Sequence, residues 1–313
     1  MSTKPETTLI SLRVAAIACF LFVSETAHPD VLYVSNTDNN TITKFDSSGN
    51  GTVFANSGLS APTGLAFDRS GYLYVANFGN NTIEKFDSSG HGTVFASSGL
   101  NRPYGLAFDS SGNLYAANAN NNTIEKFDSN GTDLGVFASS GLNAPRGLAF
   151  DKSGNLYVSN FSTNTIQKFD SGGHGTLFAS LNLPSLGFTG LAFDSTGNLY
   201  VALTSFNEIA KYDSSGHGSD FATSALLNPV GLAFDSGGNL FAVNNGNNTL
   251  VKFNANGNGT LFANSGLNSP GFIAIQIPEP STCSLLVLAA VVLVGGLRLC
   301  RYTFQVAAAS GIG

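Results

Sequence analysis

Tryptophan is absent, methionine occurs only at position 1, and cysteine occurs three times, at Cys19, Cys283 and Cys300. All three cysteines lie in apolar segments near the chain ends. No disulfide can therefore staple the interior, and no Cys-x-x-Cys spacing offers a metal site. Charge is scarce too: 11% of residues are Asp, Glu, Lys or Arg, and the formal net charge is −6. The basic residues stand singly and form no Lys/Arg stripe, which argues against nucleic acid as a partner.

What is plentiful is glycine (36) and phenylalanine (25). Aromatic and β-branched residues suit strands, and Gly and Asn suit turns. One stretch organises them: Pro-x-Gly-Leu-Ala-Phe-Asp-x-Ser-Gly-x-Leu-Tyr-Val-Ala-Asn, whole at Pro62 to Asn77. It returns at Pro103, at Pro145, in degenerate form at Phe188, and at Pro229. Its glycine is Gly64, Gly105, Gly147, Gly190 and Gly231, a period of about 41 to 43 residues. Short apolar runs at that period, separated by Gly, Asn, Asp and Ser, indicate propeller blades.

The repeats begin in the middle of a unit. Val31 to Asn36 matches the second strand, Thr41 to Asp46 the third and Gly51 to Ala55 the fourth. Five full units follow, and Gly271 to Gln276 then supplies one spare first strand. Joined, the three-strand start and the spare strand make a sixth blade. Closing the ring this way removes exposed sheet edges. The expectation is an all-β, six-bladed β-propeller of four-stranded antiparallel blades over 28–277. Gly64 to Asp68 and Leu73 to Asn77 should be buried on both faces. Thr82 to Asp87, with Glu84 and Lys85, should lie further out, and Thr93 to Ala96 should form the rim.

The ends read differently. Residues 1–27 read as a signal peptide: Lys4 and Arg13, a ten-residue apolar run from Val14 to Val23, then small residues at Ser24 and Ala27. An uncleaved anchor is the alternative. After the propeller comes a Pro-rich motif at 278–282, with Pro278, Glu279 and Pro280. Leu285 to Leu297 is apolar and Arg298 and Arg301 follow, so 283–301 reads as a transmembrane helix with a basic stop. That leaves 302–313 as a short cytoplasmic tail. A helix packed on the propeller is the other reading of this segment.

Two resemblances follow from these residues. Pro62 to Asp68, Gly71 to Asn77 and Asn81 to Asp87 resemble the NHL repeat of six-bladed propellers. The likeness covers about 31–276, and the family includes enzymes, receptors and scaffolds, so it implies the fold and little about function. Asn77, Asn118, Asn160 and Asn244 stand where that family often has Asp. The tail resembles a PEP-CTERM sorting signal. This implies export across the inner membrane of a Gram-negative bacterium, a membrane exosortase as processing partner, and a link to exopolysaccharide and biofilm. The extension from Tyr302 to Gly313 departs from that pattern.

No catalytic or metal cluster is evident, and no cofactor is expected. His91, His174 and His217 occupy one turn position repeated around the ring, so they should not converge on an ion. Asp68, Asp109, Asp151, Asp194 and Asp235 precede Ser/Gly turns and read as turn caps, without the acidic density of a Ca²⁺ loop. The copies differ on the face where strand one begins and strand two ends. The residue between Pro and Gly is Thr63, Tyr104, Arg146, Thr189 and Val230 in turn, and the following loops add Phe78, Phe161 and Phe206. These eight residues are the candidate ligand face. Aromatics with amide donors suit sugar rings, and Arg146 suits a uronate or sulfate.

The expectation is an exported, envelope- or matrix-associated binding or scaffold module, monomeric, that takes a polysaccharide or an envelope protein. Before processing, the C-terminal helix would hold it to the membrane. The alternatives are a propeller enzyme similar to the streptogramin lyases or lactonases, and a purely structural matrix protein. A lyase of that family needs a histidine and acidic residues at the channel mouth, where this chain offers Tyr104 and Arg146.

Overall fold

Runs such as Leu-Tyr-Val-Ala-Asn are apolar along their whole length, so they need cover on both faces. The computed structural model describes residues 30–180 and 187–277 and provides that cover between neighbouring blades. The first segment gives β1 (Val31–Asn36), β2 (Thr41–Phe45) and β3 (Gly51–Ala55). Next come β4 (Pro62–Phe67), β5 (Leu73–Asn77), β6 (Thr82–Phe86) and β7 (Gly92–Ala96). The third group is β8 (Pro103–Phe108), β9 (Leu114–Asn118), β10 (Thr123–Phe127) and β11 (Asp133–Ala138). The fourth is β12 (Pro145–Phe150), β13 (Leu156–Asn160), β14 (Thr165–Phe169) and β15 (Gly175–Ser180). The fifth is β16 (Phe188–Phe193), β17 (Leu199–Leu203), β18 (Glu208–Tyr212) and β19 (Gly218–Ala222). The last strands are β20 (Pro229–Phe234), β21 (Leu240–Asn244), β22 (Thr249–Phe253), β23 (Gly259–Ala263) and β24 (Pro270–Gln276).

These form six four-stranded antiparallel sheets, each in chain order except the first, which runs β24-β1-β2-β3. Val31 pairs with Gln276 and Val34 with Ile273, so the two ends of the propeller close one blade. The expected six-bladed ring is therefore present. The signal peptide, the Pro-rich motif, the transmembrane helix and the tail lie outside the described residues, as do Pro278, Glu279, Pro280, Arg298 and Arg301. Among the described residues no helix is long and apolar enough to cross a membrane.

The core is a set of inter-blade layers. Leu73 and Val75 of β5 face a cluster with Tyr33, Ile42 and Phe86, while Tyr74 and Ala76 face Leu106, Leu114 and Phe127. One strand thus serves two layers, which explains its unbroken apolar run. Each layer carries edge-to-face rings: Tyr74 lies 4.8 Å from Phe95 and 4.9 Å from Phe108. Such pairs add about 0.5–1.5 kcal/mol each beyond area burial.

The third strand lies outside the second, as expected, but its glutamates are covered rather than solvated. Glu84 and Glu125 are buried, at 5% and 4% exposure, beneath the connectors that carry Gly58 and Gly99. Asn77 sits at a buried strand end rather than in a loop. It accepts a bond from Ser60 N–H at 3.0 Å and donates to the Gly58 carbonyl at 2.9 Å. Asn118, Asn160 and Asn244 repeat the pattern. A carboxylate could not donate that second bond, which accounts for an amide here.

Candidate functional site

The mouth is shaped by a bulge at the start of each first strand. Pro62 pairs with Asn77, but Leu65 pairs with Val75, so the ladder slips by one residue across Thr63 and Gly64. The same slip occurs in the other first strands, including β24 against β1. A bulge re-aims side chains without breaking the sheet. Beside it the first strands of neighbouring blades pack backbone to backbone. A Cβ on Gly64 would collide with the Tyr104 carbonyl, and one on Gly105, Gly147 or Gly190 with the carbonyl of Arg146, Thr189 or Val230.

The eight expected ligand-face residues divide into two groups. Thr63, Thr189 and Val230 are buried, at 4%, 0% and 7% exposure, and are not presented at the mouth. Thr63 Oγ1 donates at 3.2 Å to the Pro103 carbonyl, and Thr189 Oγ1 lies 2.8 Å from Thr204 Oγ1. Their hydroxyls satisfy the scaffold around the bulge. Phe206 sits on a 3-10 turn, Thr204–Phe206, and packs against the layer of Tyr157, Leu191 and Tyr212. Phe78, Tyr104, Arg146 and Phe161 do come together, and all four are half-buried.

Their geometry is a chain of rings around one cation. Phe78 and Tyr104 meet edge to face at 6.0 Å. Arg146 Cζ lies 4.7 Å from the Tyr104 ring centre and 3.3 Å from that of Phe161. Burial pulls the Arg146 pKa below its ordinary value, with Tyr104 acting in the opposite sense. The group stays protonated at any physiological pH.

Two members were missed from the sequence. Phe272 meets Tyr104 edge to face at 5.5 Å. The β1–β24 register puts Ile273 in the place of Leu65, so Phe272 occupies the position held by glycine in the other blades. Aligning the spare strand from Pro270 would have found it. Arg102 stands in the connector before β8, with its guanidinium 5.2 Å from the Phe78 ring centre. Its signal was a basic residue in a connector whose counterparts include Ala61, Ala144 and Asn228.

The amides around the mouth are largely committed to the scaffold. Asn40, Asn81, Asn122, Asn207 and Asn248 take positive φ, and each accepts the N–H of an adjacent connector, such as Asn81 from Arg102 at 2.7 Å. The opposite face carries the repeated turns. Asp68 Oδ1 accepts from Ser70 and Tyr72 N–H at 2.9 Å, and Asp109, Asp151, Asp194 and Asp235 cap equivalent turns. His91, His174 and His217 are exposed there, each beside its own turn's aspartate at 3.7, 3.2 and 3.5 Å. Among the described residues no three His, Cys, Asp or Glu side chains are grouped to hold a metal.

Hollows of about 580, 760 and 540 Å³ lie between neighbouring turns on that face. They are copies of one motif, and two of them hold a charge pair, Lys85 with Asp68 at 3.8 Å and Lys168 with Asp151 at 3.9 Å; Asp235, in the third, pairs with Lys252 at 3.2 Å. The distinct chemistry is at the mouth, where the blades differ.

The NHL repeat family model matches residues 142–169, one repeat of the ring. No curated protein sequence matches the chain. Among solved structures, the chain is similar to one from a nidogen/laminin complex, at 21% identity and TM-score 0.70, covering 79% of this chain and 98% of that one. It is also similar to a catalytically inactive virginiamycin B lyase from Staphylococcus aureus with quinupristin, at 17% identity and TM-score 0.58, covering 78% of each chain. A gluconolactonase from Xanthomonas campestris aligns at 21% identity and TM-score 0.59, over 68% of this chain and 79% of that one. At these identities the likeness is one of fold, shared by proteins that bind and proteins that catalyse.

Proposed function

We propose that the chain is an exported binding or scaffold module of a bacterial envelope or matrix, and that it engages its partner at the propeller mouth. The observation that carries this reading is the asymmetric cluster of Phe78, Tyr104, Arg146, Phe161 and Phe272 on an otherwise repetitive ring. A purely structural ring has no use for a half-buried cation among aromatic rings at one place. A lyase or lactonase would need acid–base groups at the mouth, and the described histidines lie on the opposite face. The PEP-CTERM resemblance at Pro278, Glu279, Pro280, Arg298 and Arg301 supports export and exosortase processing, and with it a polysaccharide or envelope protein as partner.

The test is capture of extracted exopolysaccharide by the full chain and by its Tyr104→Ala/Arg146→Ala variant. Saturable capture, weakened at least about tenfold in the variant, is expected, since two central contact residues are removed. Equal capture by both would move the site away from the mouth.

A further inference from the structure

The mouth holds a positive charge that no described residue neutralises, and this bears on what the mouth takes. The inference rests on the binding role proposed above. Arg146 Cζ lies 3.3 Å from the Phe161 ring centre, which is van der Waals contact. At that separation a guanidinium can only lie flat on the ring, because a tilted one would drive an N–H into it. Its five donors then point sideways, in the guanidinium plane. The guanidinium has no ion pair or hydrogen bond among the described residues. Tyr104 Oη likewise has no hydrogen bond among them.

The consequence is a preorganised fork. Two rings fix the long side chain before any ligand arrives, so less side-chain freedom is lost on binding. The half-buried cation has given up part of its water and gained no anion among the described residues in return. Of the acceptors that fit a coplanar pair of N–H groups, a carboxylate matches best, through two parallel bonds. Beside the fork, Tyr104 meets Phe272 and Phe78 edge to face, with ring centres 5.5 and 6.0 Å apart and planes at 76° and 89°, so the three rings make an angled apolar corner. A pyranose ring can lay its C–H face on one ring of that corner while a carboxylate on the same sugar reaches the fork. The equivalent positions in the other blades are Thr63, Thr189, Val230 and Gly271, none of them cationic.

We propose that Arg146, cornered by Phe161 and Tyr104, receives the carboxylate of a hexuronate unit in an acidic polysaccharide, at one site per ring.

The experiment is calorimetric titration of the full chain with short oligomers of galacturonate, glucuronate and mannuronate. Each is compared with its methyl ester, which keeps the sugar and removes the charge. The expected result is a stoichiometry of one for at least one acid, and weakening on esterification by about 10- to 100-fold, the range for a charge-assisted pair. Arg146→Gln should weaken the acid by a similar factor and the ester by far less, since the ester offers Arg146 only a neutral acceptor. Arg146→Lys should recover only part of the loss, because a point charge does not replace a fork. Melting curves of both variants matching the parent would show that the ring is intact.

Equal binding of acid and ester would overturn the carboxylate assignment and leave the wider binding role standing. Tighter binding of a sulfated oligomer would overturn it in favour of another anion. Failure of all three acids, with exopolysaccharide still captured at the mouth, would overturn the hexuronate while sparing the site.

Discussion

Glu125 is held beneath the connector between the second and third blades, where a Cβ on Gly99 would lie 2.5 Å from Asp133 Oδ2 and 2.9 Å from Glu125 Cγ. Burial pushes its carboxyl up first, and the hydrogen bond and charge of Asp133 add to this, from the usual 4.5 to about 7. The folded protein therefore holds a proton that the unfolded chain has released across that interval. This contribution favours folding fully below pH 4.5 and is lost as pH rises through about 7. The same place in the next blade is Gln167, packed under Gly141, an amide that keeps a donor at every pH. Glu125→Gln should accordingly match the parent in melting temperature near pH 4 and exceed it by about 3–6 °C at pH 8. Parallel melting curves at both pH values would contradict this. The sequence hid this burial because Glu84 and Glu125 sit beside lysines and read as a solvated edge. It also hid the fate of Thr63, Thr189 and Val230. They share a position with Tyr104 and Arg146, and only the packing around the bulge shows which side chains are covered.

The elements themselves were far more legible. Unbroken apolar runs in the second strands, Asp-Ser-Gly turns and the period of the repeat placed the strands within a residue or two. First strands begin at the proline, two residues earlier than the glycine-led reading, because Pro62 pairs with Asn77 across the bulge. The repeated glycine has a physical reason that a pattern alone does not supply: the first strands of adjacent blades touch through their backbones. Gly147→Ala should thus cost about 2–3 kcal/mol, since a backbone carbonyl cannot step aside as a flexible side chain can. Chemical denaturation of that variant would read the loss directly, and an unchanged midpoint would mean that the strands can part. Phe272 escapes this constraint in the closing blade. Its ring reaches Tyr104, on a blade that is not its neighbour, and that lends the mouth its asymmetry.

At the scale of the molecule, the ring depends on β24. Counting strands was enough to foresee that a spare first strand completes the opening blade, since the start lacks a first strand and the end has one to spare. Removing 271–276 exposes that edge and uncovers Leu32 and Val34. The shortened chain should associate in solution and melt well below the parent, as light scattering and calorimetry would show. A monomer of unchanged stability would mean that the ring closes by some other contact. The function was less legible than the fold, because repetition reports what the blades share, and a partner is chosen by what they do not.

The closing pair also has a mechanical side. β24 enters at the mouth beside Asn36 and leaves at the far face beside Val31. A partner gripping the mouth and a tether attached beyond residue 277 would pull along the length of β24 in opposite senses. Its rungs would then share the load together, as in a lap joint. Tension applied instead between residues 30 and 277 would part the same rungs one after another. The direction of pull would thus decide whether this joint holds or peels.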